Sequence, residues 1–164
     1  MMLGRIMEQA RRATEHAART KSTTLRPLRY PQGEDKGPLK SYFFSKYIFA
    51  SSRQRLQAAA DQHAMHVIPN SRGEHVAWLH VTMDIIFPVN PGFLPVPGGA
   101  EAEGMIFGPR LSAKVRHYKQ HNKIVNRDYQ NTVDGIVGIM TMRMLDYHLC
   151  FIEQKLRESA FWLP

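Results

Sequence analysis

Residues 132–141 constrain the fold more strongly than any other part of the sequence. They read Thr-Val-Asp-Gly-Ile-Val-Gly-Ile-Met-Thr and lead directly into the clearest helical pattern of the chain, at 141–157. Asp134 and Gly135 form a tight-turn pair, because glycine accepts positive φ and the carboxylate can hold nearby amides. Gly138 permits a second bend before the helix. We therefore predict a loop, called hook 2 below, that turns under the helix and fixes its start.

The side chains of hook 2 are predicted to be mainly structural. We expect Val133 and Ile136 to point inward on either side of the turn, and Thr141 to cap the helix through its hydroxyl. Asp134 is interpreted first as a turn residue and second as a ligand contact. The predicted buried stripe of the following helix consists of Met144, Leu145, Leu149, Ile152 and Leu156.

A weaker copy of this element lies earlier in the chain. Residues 106–111 read Ile-Phe-Gly-Pro-Arg-Leu and are called hook 1. They precede a helix predicted over 112–123, which has Val115, Tyr118 and Asn122 on one side. A hook followed by a helix is thus predicted twice.

The pattern of residues 74–87 fits two structures. The spacing of Leu79 and Met83 suits one face of a helix, whereas an alternating apolar set from Ala77 to Phe87 suits one face of a strand. Periodicity alone does not separate these alternatives.

Hook 2 resembles the signature of the peptidoglycan-binding domain family, which reads V-D-G-I-[FV]-G-P-x-T before a helix. The family carries the element twice, and hook 1 resembles its first copy. The family's opening helix has a Ser-x-Gly-x-x-Val-x-x-Leu pattern, which residues 71–79 match. The resemblance covers about residues 68–150 and implies a mainly α domain of three helices and two hooks. It favours a helix over residues 74–87.

The resemblance also suggests roles for individual residues. The residues expected to build the hooks are Phe107, Gly108, Val133, Gly135, Ile136, Gly138 and Thr141. A glycan site would need fixed hydrogen-bond partners and an aromatic platform near the hooks. The candidates for it are Arg116, His117, Tyr118, Asn131 and Asp134.

The chain departs from the family pattern in both hooks. Hook 1 lacks an Asp-Gly pair before Ile106 and has Leu111 where the family prefers threonine. Hook 2 has Ile139 in place of proline, and a long Gly- and Pro-rich loop separates residues 74–87 from hook 1. These departures bear on carbohydrate binding more than on the fold.

The N-terminal part is predicted to be an arm that precedes this domain. Residues 1–40 contain nine Lys and Arg residues against four Asp and Glu residues, and read as a basic helix followed by an extended connector. Leu3 and Ile6 begin the apolar stripe of that helix. Residues 41–67 form the next predicted unit, with a short aromatic strand and then a helix, and residues 68–164 form the domain.

A second resemblance concerns this arm. The sequence Leu-Arg-Pro-Leu-Arg-Tyr-Pro at residues 25–31, followed by an aromatic segment at 41–49, looks like a segment near the start of some baseplate proteins of bacteriophage contractile tails. It implies that the arm, with Arg29 and Tyr30, contacts neighbouring subunits.

No pattern of the sequence indicates catalysis or a cofactor. Cys150 is the single cysteine, so an intrachain disulfide is excluded and the thiol is interpreted as a small buried side chain. The pairs His63/His66 and His117/His121 have helical spacing but lack a nearby third ligand, so we expect no metal site. We predict that the protein is not an enzyme.

Two functions remain open at this stage. The first is a structural component of a phage-type contractile tail or baseplate, present in multiple copies and located in the virion, whose domain serves for protein docking or cell-wall contact. The second is an accessory module that targets a separate hydrolase to peptidoglycan. Neither a membrane span nor a secretion signal is expected, and nucleic acid is not expected as a partner because the sequence has no recognised DNA-binding motif.

Overall fold

The computed structural model describes residues 37–86, 105–125 and 132–160, and this described part is mainly helical. Its helices are α1 (Ala50–Asp61), α2 (Glu74–Ile86), α3 (Pro109–His121) and α4 (Ile139–Ala160), with a π-helical turn at Phe43–Tyr47 and a 3-10 turn at His63–Met65. The predicted mainly α fold is confirmed over these residues, as is the helical alternative for 74–86. None of the described helices is both long enough and apolar enough to cross a bilayer.

The two hooks lie on the segment that connects the 3-10 turn to α2, here called the interhelical segment (residues 66–73). Val67 and Val137 of hook 2 exchange two backbone hydrogen bonds, with N···O distances of 3.0 and 2.9 Å. Phe107 of hook 1 donates its backbone N–H to the Ser71 carbonyl at 2.9 Å. The interhelical segment is therefore hydrogen-bonded by one hook near its start and by the other near its end.

Each hook continues into a helix in the same way. The Gly108 carbonyl accepts the Ser112 N–H at 3.0 Å, and the Gly138 carbonyl accepts the Met142 N–H at 2.9 Å. These bonds close the first turns of α3 and α4. The predicted repetition of a hook followed by a helix is present in the structure.

The inward-facing residues of hook 2 differ from the prediction. Val137 is fully buried, whereas Val133 and Ile136 are half-buried. The bridge to the interhelical segment explains this, because neighbouring residues of an extended chain point to opposite sides. Helix α4 also begins at Ile139, so the buried Thr141 lies inside its first turn and is not the residue before it.

The prediction of an aromatic strand at residues 41–49 is wrong, because this segment forms the helical turn Phe43–Tyr47. The backbone N–H groups of residues 40–43 donate to two carboxylates of α4 at 2.8–2.9 Å, two to Asp146 and two to Glu153. Such groups have no partner inside a helical turn, and the carboxylates supply one. The strand prediction missed them because they come from a distant part of the sequence.

The aromatic side chains of this turn enter the core. Phe44 and Ile48 are buried. Phe43 and Tyr47 stack on each other, and each meets the Trp78 ring of α2 edge-on, with ring centroids 5.8 Å apart. Edge-on aromatic rings attract each other, and this attraction adds to the stabilisation that comes from burying their apolar surface.

One hydrophobic core runs across the predicted boundary between residues 41–67 and 68–164. It contains Phe44 and Leu56 together with Leu145 and other apolar side chains of α2, α3 and α4. Residues 41–67 therefore share one hydrophobic core with α2, α3 and α4.

The predicted stripe of α4 is buried in its first half. Met144, Leu145 and Leu149 are buried, Ile152 is half-buried, and Leu156 is 42% exposed. The last turns of α4 thus extend past the core. The predicted N-terminal helix and the arm residues Leu3, Ile6, Arg29 and Tyr30 lie outside the described residues, as does Asn131.

A buried polar pair joins α3 to α4. The hydroxyl of Tyr118 lies 2.7 Å from Nδ1 of His148, and the two side chains are 0% and 7% exposed. Burial raises the pKa of Tyr118. Burial, and then the nearby His121, lower the pKa of His148 to about 4. At neutral pH this hydrogen bond therefore joins an uncharged phenol to an uncharged imidazole.

We expect the substitution Asp146→Asn to lower the free energy of unfolding by about 1–3 kcal/mol. The amide that replaces one carboxylate oxygen cannot accept the N–H group of Lys40 or Ser41. Urea unfolding of both proteins measures the difference. The control is Glu158→Gln, which changes an exposed residue of the same helix and should leave stability unaltered. Equal stability of Asp146→Asn and the original protein would contradict this anchoring role.

We expect stability to fall as the pH decreases from about 6.5 towards 4, by about 2–3 kcal/mol through His148 alone. The unfolded chain takes up a proton at the ordinary histidine pKa, whereas the folded chain resists it, so acid favours unfolding. Urea unfolding as a function of pH measures the slope. In His148→Gln, which keeps an acceptor but does not titrate, the slope should be smaller. A residual slope is expected because burial also lowers the pKa values of His66 and His75.

Candidate functional site

A cavity of about 470 Å³ lies beside hook 2. The start of α4 and the end of α3 form two of its sides, and the 3-10 turn after α1 forms a third. Its polar lining consists of His63, His66, Lys119, Asp134 and Thr141. Because four separate parts of the chain meet there, the cavity exists only in the folded protein.

An ion pair holds hook 2 on α3 at this cavity. Nζ of Lys119 lies 2.5 Å from Oδ1 of Asp134 and 3.3 Å from the Ile136 carbonyl oxygen. The same carboxylate oxygen accepts the Ile136 N–H at 3.0 Å, which makes the turn that the sequence predicted. The Lys119 side chain is 8% exposed, so its charge depends on Asp134 for compensation.

Gly135 is required here for a reason that the sequence did not indicate. A Cβ atom at this position would lie 2.0 Å from Oγ of Ser112 and 3.1 Å from its backbone oxygen. Gly73, and not Gly135, has positive φ among the described glycines. The missing side chain therefore serves the close approach of hook 2 to α3 rather than a left-handed turn.

Gly138 allows an imidazole to pack against hook 2. A Cβ atom at this position would lie 3.0 Å from Cε1 and Nε2 of His66. This Nε2 atom is buried and has no hydrogen-bond partner among the described residues. Burial, followed by the neighbouring His63, lowers the pKa of His66, against an opposing effect of Asp134. The His66 imidazole is therefore neutral at pH 7.

The structure does not bring the predicted glycan-binding residues together. Asp134 lines the cavity, whereas Arg116 and His117 are exposed elsewhere on α3. Tyr118 is fully buried and bonded to His148, so its ring is not available as a platform for a sugar. A helix directs neighbouring residues about 100° apart, so positions 116–118 cannot share one surface.

Three cavity residues were not predicted as parts of a site. The sequence marked His63 and His66 only as a pair with helical spacing. Their assembly depends on the position of hook 2, which brings Asp134 to Lys119. These residue types are visible in the sequence, but the contact between Lys119 and Asp134 that assembles them is not.

Within the described ranges no three His, Cys, Asp or Glu side chains form a group that could hold a metal ion. Cys150 is half-buried, and burial together with Asp146 and Glu153 raises its pKa to about 11. The thiolate, which is the reactive form, is therefore scarce at neutral pH.

We expect Gly135→Ala to destabilise the protein by about 1–3 kcal/mol, because hook 2 must move away from α3. Thermal and urea unfolding measure this effect. Gly37→Ala is the matched control, since a Cβ there meets nothing within 4 Å; its effect should stay within about 0.5 kcal/mol. Adding Ser112→Ala to Gly135→Ala removes the nearest atom and should restore part of the loss. If the Gly135→Ala protein were as stable as the original, hook 2 would not be packed tightly against Ser112 of α3.

Comparison with known proteins gives no relative for this chain: no protein-family model, no curated protein and no solved structure matches it.

Proposed function

We infer that this protein is a non-enzymatic structural component of a phage-type contractile tail or baseplate, in which a peptidoglycan-binding-like domain serves for protein docking or cell-wall contact. The observation that carries the domain assignment is the pair of hooks on the interhelical segment. The order of α2, hook 1, α3, hook 2 and α4 agrees with what the resemblance implies.

The way the chain enters this domain supports a role in an assembly. Residues 37–43 lie along α4, fixed by Asp146, Glu153 and a bond from Arg143 to the Gly37 carbonyl at 2.6 Å. A preceding arm would therefore start from a defined point on a rigid helix. The strongly basic composition of residues 1–40 suits an acidic surface on a partner subunit.

The cavity favours a second candidate function, an accessory module that targets a separate hydrolase to peptidoglycan. It combines an ion pair, a neutral imidazole and apolar side chains in a concave site, which is the usual composition of a site for a small polar ligand.

Fractionation of particles tests the tail proposal. Contractile particles from cells that produce this protein should contain it at a fixed ratio to their other subunits, and antibody labelling should mark one end of the tail. A control preparation made without the gene should lack the label. Absence of the chain from purified, intact particles would reject the proposal.

Sedimentation with insoluble peptidoglycan separates a protein-docking module from a wall-binding module, whether a tail or a hydrolase carries the latter. A docking module should bind weakly and lose its binding between about 0.15 M and 1 M salt, because a basic protein and an anionic wall attract each other nonspecifically. A wall-binding module should stay bound at high salt. Arg116→Ala is a useful comparison, since this exposed side chain lies outside the cavity; salt-resistant binding through the cavity should be unaffected by it.

A further inference from the structure

We propose that the outer side of α3 is a docking surface for an acidic segment of a partner protein. This surface, called the basic face below, carries Arg110 and Arg116 along the helix and Lys123 directly after it. The inference goes beyond the proposed function, because it concerns a surface outside the cavity and does not depend on whether the partner belongs to a tail.

The two inward-facing lysines of α3 already have acidic partners. The helix carries four Lys and Arg residues and no Asp or Glu residue. Lys114 and Lys119 are buried, and they pair with Asp84 and Asp134. A buried charge needs such compensation. Both ammonium groups are therefore neutralised within the fold and do not contribute to the basic face.

The charges of the basic face have no such compensation. Arg116 and Lys123 are exposed and Arg110 is half-buried, and none of the three forms an ion pair within the described residues. The other exposed residues of α3 lie on the same side of the helix and are His117, Gln120 and His121. From Arg110 to Lys123 the face extends over about 20 Å, at about 1.5 Å per residue.

The backbone at Lys123 gives an independent indication of a binding role. The Ile124 N–H donates to the Lys119 carbonyl at 2.9 Å, and the Lys123 N–H donates to the Gln120 carbonyl at 3.2 Å. This helix ending favours glycine at position 123, because the residue there has a φ of +54°. Unfavourable conformations of this kind concentrate at binding sites. Here the conformation places an ammonium group just beyond the end of α3.

The number of charges favours a protein partner over nucleic acid. Proteins that hold a DNA duplex commonly neutralise about 6–10 phosphates, whereas the basic face offers three Lys and Arg side chains. Its exposed residues also include no Phe, Tyr or Trp on which unpaired bases could stack. Two guanidinium groups and one ammonium group match the carboxylates of a short acidic segment, and guanidinium binds carboxylate in a bidentate manner.

The test is an NMR titration of the full-length, ¹⁵N-labelled protein with hexaglutamate, at about 50 mM salt so that screening is limited. We expect saturable shifts of the amide signals of Arg116, Gln120 and Lys123, with a Kd on the order of 1 mM. These signals report on single residues of α3, so binding of the probe to the basic residues 1–40 is observed separately.

Substitutions of Arg116 separate docking from an effect of net charge. Arg116→Glu should weaken binding at α3 at least about fivefold, because an exposed ion pair is lost and a repulsion is added. Arg116→Lys keeps the charge but lacks the planar fork, so it should weaken binding about twofold or more. The control is Arg157→Glu, which changes the net charge equally at an exposed residue in the last turn of α4. It should bind within about twofold of the original.

Lys123→Gly tests the unfavourable backbone position. The substitution removes the ammonium group and places the preferred residue at a positive φ. Binding of hexaglutamate should weaken about two- to fivefold, while the Tm should equal or exceed that of the original protein. If Lys123 had a structural role alone, the Tm would fall and binding would be unchanged.

Several results would overturn the proposal. These are the absence of saturable shifts at α3, undiminished binding by Arg116→Glu or Lys123→Gly, and an equal loss in Arg157→Glu. If a DNA duplex of about 12 base pairs bound through the same amides more tightly than hexaglutamate, the face would be assigned to nucleic acid instead. A well-dispersed spectrum of each variant confirms that it is folded. The outcome is independent of the particle and sedimentation experiments.

Discussion

The fold depends on the backbone hydrogen bonds between the interhelical segment and the two hooks. Val67 bonds to hook 2 and Ser71 bonds to hook 1, so a few residues without regular structure fix where α2, α3 and α4 begin. Val67 is fully buried, so its backbone groups need partners, and hook 2 supplies them. The side chains of Phe107 and Val137 are fully buried at these contacts. Each of these residues therefore forms hydrogen bonds through its backbone and packs in the core through its side chain.

Helix α4 connects the hooks to both the candidate site and the backbone of residues 40–43. Its first turn closes the cavity beside hook 2, and Asp146 and Glu153 bind the backbone of residues 40–43 further along. Lys119, nearly buried, contributes to the cavity through its pair with Asp134. The same ion pair that holds hook 2 in place therefore determines the charge that a ligand would meet.

Much of the fold followed from local patterns. The hooks, the helix at 109–121 and the buried side of α3 were predictable, because turn residues and apolar periodicity act over a few residues. The helix at 74–86 was favoured by the family resemblance alone, because its apolar pattern fits a strand equally well. The aromatic segment at 41–49 was mistaken for a strand, since its aromatic composition favours a strand. The two carboxylates that stabilise its helical turn lie 105 and 110 residues away from the groups they bind. The candidate site was predicted only at Asp134, because the other cavity residues acquire their roles through contacts between distant segments.

The sequence by itself determined a mainly helical protein with two hook-and-helix elements and a turn at Asp134. It determined these because glycine, turn-forming side chains and apolar spacing restrict the backbone locally. The tertiary structure decided that Gly135 serves close packing on Ser112, that Tyr118 belongs to the core, and that His66 and Lys119 share a cavity. These outcomes depend on which distant surfaces meet, and that is fixed by packing of the whole chain rather than by any one segment.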